Sequence, residues 1–138
     1  MNTDSLHSLV SGAIWRAEQL EARRMASAPA AWAEVSSLEE QLASALPVSQ
    51  PEGRIARRGA VRAALKAREH ARAQALAERY LAENKAPDSL GAALREMLEE
   101  EANGLAGRFR YAAKHHDIQD ARDLARQLQR GGAFGLAA

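Results

Sequence analysis

The sequence predicts an all-α fold, with about five to seven short amphipathic helices in antiparallel hairpins that form a bundle or a short stacked array. Three observations predict it. Apolar residues recur at three- and four-residue steps through most of the chain, the spacing that lines one face of a helix. Alanine, the strongest helix former, makes up roughly a quarter of the 138 residues while aromatics are only 4 %, which favours thin, closely packed helices over a thick aromatic core. No stretch alternates apolar and polar residues over strand length with β-branched enrichment. A chain of this size buries one hydrophobic core, so 1–130 is read as a single helical domain and 131–138 as a flexible or docking tail.

Leu6, Leu9, Val10, Ala13, Ile14, Ala17 and Leu20 give a helix over 5–26, with Thr3, Asp4 or Ser5 available as a cap. Ser27 to Pro29 punctuates, and Pro29 suits a first helical turn because that turn needs no N–H donor. Trp32, Val35, Leu38, Leu42 and Ala45 predict a second helix over 30–46 that folds back on the first. The Pro-Val-Ser-Gln-Pro-Glu-Gly segment 47–53 is the clearest loop.

A basic helix follows over 54–67, with Ile55, Val61, Ala64 and Leu65 as its inner positions. Ala73, Leu76, Ala77, Tyr80 and Leu81 mark a helix over about 70–84. Periodicity leaves open whether 54–84 is one long helix or a hairpin, and the polar stretch Lys66 to His70 favours the hairpin. Pro87, Asp88 and Ser89 open another helix along Leu90, Ala93, Leu94, Met97 and Leu98. Glu99, Glu100 and Glu101 would sit badly at its C-terminal end, where the helix dipole disfavours anions, so a kinked or broken continuation past Asn103 and Gly104 is allowed. Asp117 caps a last helix carrying Ile118, Ala121, Leu124, Ala125 and Leu128, closed by Gly131 and Gly132.

Charge is the most informative feature for function. The formal net charge is only +1, but successive blocks 1–52, 53–80, 81–103 and 104–138 carry −4, +6, −4 and +3. Segregation of this kind bears on partners rather than on fold. If the helix ran on from Arg54 through Arg72, the residues Arg54, Arg57, Arg58, Arg62, Arg68 and Arg72 would share a face of about 140°. Such a face has three destinations: internal pairing with the acidic blocks or simple solvation, an acidic protein surface, or a phosphate backbone bound with steep salt dependence. A second cluster, Arg108, Phe109, Arg110, Tyr111, Lys114, His115 and His116, interleaves aromatics with cations as single-strand binders do.

No catalytic constellation accompanies these clusters. Cysteine is absent, which removes thiolate nucleophiles and Cys-ligated metal sites. His115 and His116 point about 100° apart on a helix, and His116 with Asp120 supplies too few ligands for a protein-only metal site. Glu18, Glu21, Glu39 and Glu40 read as ordinary surface acids. No segment is long and apolar enough to span a membrane, and the N-terminal stretch, with Asp4, His7, Arg16 and Glu18, has no secretory plan.

The expectation is a non-catalytic, cytoplasmic adaptor, regulatory or accessory subunit without cofactor, metal or membrane contact. It would bind another protein, one with an acidic surface or a second copy of the chain, through Arg54, Arg57, Arg58, Arg62, Arg68, Arg72 and Trp15. The alternative is a subunit of a nucleoprotein complex that contacts nucleic-acid backbone, with Arg108, Arg110, Tyr111 and Lys114 contributing.

Overall fold

The computed structural model describes the backbone of residues 2–114 and the side chains of residues 2–104. Over these residues the chain is all-helical, in the order α1 (Thr3–Ala22), α2 (Ala28–Ala45), α3 (Pro51–Lys66), α4 (His70–Leu81) and α5 (Asp88–Lys114). The helix expected from Asp117 to Leu128 and the tail 131–138 lie outside the described residues. No described helix is long and apolar enough to cross a membrane.

α1 starts earlier and ends sooner than its periodicity suggests. Asn2 is the cap, its Oδ1 accepting the Ser5 N–H at 2.8 Å. At the other end Arg24 adopts φ 52°, Arg24 N–H bonds the Glu21 carbonyl, and Met25 N–H bonds the Leu20 carbonyl at 2.9 Å. This is a Schellman closure with arginine in the left-handed position that glycine usually holds. α3 ends the same way: Arg68 has φ 62°, and Glu69 N–H reaches the Ala64 carbonyl at 2.9 Å. That turn makes 54–84 a hairpin of two helices.

The expected loop 47–53 is shorter in the structure. Leu46 is extended ahead of Pro47, as a residue preceding proline prefers, but Pro51 opens α3 and places Glu52 and Gly53 inside the helix. Gly53 serves a close approach: a Cβ there would lie 2.0 Å from the Pro47 carbonyl oxygen. α5 runs unbroken past Asn103 and Gly104. The Glu99 to Glu101 run therefore lies mid-helix, away from the anion-disfavouring end.

α2 packs against both α1 and α3, while α3 also packs against α4 and α5. Arg16 meets Glu34 whereas Glu21 meets Trp32, so advance along α1 is retreat along α2 and the pair is antiparallel. Gly91 lies beside Leu81, and His70 faces Glu101 at 3.8 Å, which makes α4 and α5 antiparallel as well. The main core joins Leu6 and Val10 of α1, Leu42 of α2, Val61 and Leu65 of α3, Leu76 and Tyr80 of α4, and Leu90, Leu94 and Leu98 of α5. A second cluster gathers Ala13, Ala17, Trp32, Val35, Ala63 and Ala67 where α1, α2 and α3 meet. Alanines 56, 60, 63 and 64 make up half of the buried residues of α3. Ile55, expected inside, is instead exposed.

Candidate functional site

The alternating charge blocks meet each other inside the fold. Arg57 is only 5 % exposed; its Nε–H and one terminal N–H group donate to the two carboxylate oxygens of Glu83, each at 2.8 Å. Its other terminal nitrogen donates to the carbonyls of Leu46 at 3.1 Å and Gly53 at 2.8 Å. Arg72 and Arg79 each bond Glu40 at 2.7 Å, and Arg72 also donates to Ser36 Oγ. These bonds hold the Glu40 carboxyl below its ordinary pKa, the Arg79 bond most strongly. Arg54 donates to the carbonyls of Val48 and Ser49.

The six-arginine face therefore does not form. The turn at residues 67–69 separates Arg68 and Arg72 from α3, Arg57 points inward, and Arg54 and Arg72 are engaged within the chain. Two members remain together on the outer side of α3, Arg58 and Arg62, which make no ion pair with another described residue. Taking Arg54 as 0°, Arg58 falls at about 40°, Arg62 at about 80° and Ile55 at about 100°, so an exposed isoleucine shares the face of the two cations. Arg68 is exposed in its turn.

Trp15 stands apart from this face. It is 63 % exposed and points about 180° away from the Leu6 side of α1, opposite the buried stripe. Trp32 is buried, donates its Nε1–H to Glu21 at 3.1 Å and carries the Lys66 ammonium over its ring at 4.8 Å. Arg108, Arg110, Tyr111 and Lys114 lie on the last turns of α5, and their side chains are outside the described residues.

A groove of about 360 Å³ runs between α1 and α3 with α2 as its floor. Ile14, Glu18 and Glu21 line it from α1, Trp32, Val35 and Glu39 from α2, and Gly59, Arg62 and Lys66 from α3. One wall is acidic, the other basic, and the floor is largely apolar. Glu39 is the exception on the floor. It is not the surface acid expected: it is 7 % exposed, and Gly59 makes room for it, since a Cβ there would come within 2.6 Å of its Oε1. Burial raises its pKa from the ordinary 4.5 to about 7, against the opposing pull of Arg62. The signal for its placement was in the spacing, because Glu39 stands four residues after Val35 and three before Leu42, inside the apolar stripe of α2.

Among the described residues no group of three or more His, Cys, Asp or Glu side chains is placed to hold a metal ion. The site is thus a set of surfaces, comprising a cationic ridge on α3, a bipolar groove beside it and an outward tryptophan on α1. Comparison with protein-family models, curated proteins and solved structures finds no match to the chain.

Proposed function

We propose that this chain is a non-catalytic adaptor or accessory subunit that docks on an acidic protein surface through the outer face of α3. One observation carries the proposal: Ile55, 56 % exposed, shares its helix face with Arg58 and Arg62, which form no ion pair with a described acid. An aliphatic anchor flanked by arginines suits a contact in which the apolar group supplies burial and the cations steer an acidic partner into register. Trp15 offers a second, separate contact on α1. The phosphate-backbone alternative has less support, because the turn at residues 67–69 breaks the arginine array that would track a backbone and an exposed isoleucine lies beside the two cations that remain on α3.

The immobilised chain, used to capture partners from its native source with and without nuclease, tests this against a variant carrying Ile55→Asp, Arg58→Glu and Arg62→Glu. Capture of an acidic protein that the triple variant loses and an Arg95→Glu control retains, at unchanged far-UV helicity, is the expected result. Equal capture by the triple variant overturns the proposal. Loss of all capture on nuclease treatment favours the nucleic-acid alternative instead.

A further inference from the structure

We propose that the groove between α1 and α3 binds a small organic cation, an alkylammonium or guanidinium group, with Glu39 as its counter-ion and Trp32 beside it. The groove already holds one ammonium on this pattern. Lys66 Nζ lies 3.6 Å from Glu21 Oε1 and 4.8 Å from the centre of the Trp32 ring, a carboxylate and an indole face acting together on a cation. Further along the same groove a second carboxylate has no such occupant. Glu39 forms no hydrogen bond or ion pair with another described residue, although it is more than nine-tenths buried and lines the groove.

A carboxylate in that position is partly stripped of solvent but open to the groove, so a cation that reaches it regains in one contact part of what burial has removed. The surroundings suit the hydrocarbon part of such a ligand: Ile14, Val35 and Trp32 line the floor and side, and Glu18 adds a second acid on the α1 wall. The groove volume of about 360 Å³ lies in the range of small-molecule sites. Arg62 stands at the basic wall, close enough to act on Glu39 electrostatically but in no ion pair with it. It competes with an incoming cation for the same charge. This inference does not depend on the outer face of α3 being a protein-docking surface.

The ligand chemistry has two sources, a free amine or amidine and the end of a peptide side chain. Isothermal titration with agmatine, with N-acetyl-arginine methylamide and with uncharged butanol separates them, and the tighter of the two cations identifies the source. Saturable binding of at least one cation, none of butanol, is expected. Glu39→Gln should weaken that binding at least tenfold, whereas Arg62→Gln, which removes the competing cation, should tighten it severalfold. The Glu39 side-chain carboxyl carbon should shift in NMR spectra as the cation is added, a readout that does not depend on how either variant folds. Absence of saturable binding, equal affinity in Glu39→Gln, or a carboxyl resonance that stays still while ligand binds would each overturn the site.

Discussion

Arg57 of α3 and Glu83, just beyond α4, form a two-bond guanidinium–carboxylate pair, both bonds 2.8 Å long, and the same guanidinium ties down the carbonyls of Leu46 and Gly53. One side chain therefore locks the α2–α3 connection to the end of α4. Its removal leaves the Leu46 carbonyl and the Glu83 carboxylate without these bonds together, while the Gly53 carbonyl loses its second donor and keeps its helical one. Arg57→Ala should lower unfolding free energy by about 3 kcal/mol, read from urea denaturation. Arg57→Lys should recover only a small part, since an ammonium cannot present the planar set of donors that these four acceptors meet. Arg57 is consequently unsuited to interface mutagenesis: a loss of binding in its variants would report unfolding.

Two glycines should respond to alanine with opposite signs. At Gly53 the new Cβ would lie 2.0 Å from the Pro47 oxygen and 2.8 Å from its carbonyl carbon, and both obstacles are backbone. At Gly104, inside α5, nothing lies within 4 Å of that position. Gly53→Ala should destabilise by about 2 kcal/mol or more through forced separation of the α2–α3 connection, whereas Gly104→Ala should stabilise by about 1 kcal/mol through helix propensity. Thermal melts of the two variants beside the parent decide both signs.

Helix identity was legible in this sequence because amphipathic spacing is a local property, and α1 to α5 all stand where Leu, Val and Ala recur at helical steps. The ends were less legible. Arg24 and Arg68 occupy left-handed turn positions with no glycine to announce them, which is why periodicity carries α1 to residue 26 and does not by itself divide 54–84 into two helices. Gly53 and Gly104 misled in the other direction, being helical residues that look like breakers. The charged site was the least legible part. Arg57 finds Glu83 26 residues away and Arg79 finds Glu40 39 away, partnerships that helix packing alone decides. Glu39 was readable from its place in the α2 stripe, and the exposure of Ile55 from its place about 180° around α3 from Ala64, one of the inner positions.

The turn after α3 can be improved. Arg68 holds φ 62°, a conformation that costs an L residue about 1–2 kcal/mol, against about 0.5–1 kcal/mol for the extra chain entropy that glycine loses. Arg68→Gly should therefore raise stability by roughly 0.5 kcal/mol, a small upward shift in Tm. Its side chain is exposed, so the same variant tests whether Arg68 contributes to partner capture without disturbing the fold. A fall in Tm would show that the arginine side chain stabilises the turn by more than its backbone strains it.

Neighbouring residues Glu39 and Glu40 should give opposite pH dependences. Glu40, held below its ordinary pKa chiefly by its bond to Arg79, binds its proton more weakly in the fold than in the unfolded chain. Its contribution is fully present above the ordinary value of 4.5 and is lost as pH falls through the lowered one. Glu39 is the reverse: its pKa rises from 4.5 to about 7 on folding, so the folded state takes up the extra proton between those values. Stability from this group is greatest below pH 4.5 and declines until pH passes about 7, as the buried carboxyl ionises. The full shift corresponds to about 3 kcal/mol, and solvent screening at the open side of the groove reduces it to roughly 2 kcal/mol. Glu39→Gln removes the ionisation while keeping the shape, so its advantage over the parent should be near zero at pH 4.5, grow through the interval and level off above pH 7. Glu40→Gln should show a deficit at pH 7 that shrinks in acid. Chemical denaturation of both variants and the parent across pH 2 to 8 reads the two curves together, and a flat difference for Glu39→Gln would mean that its carboxyl is solvated well enough in the groove to titrate normally.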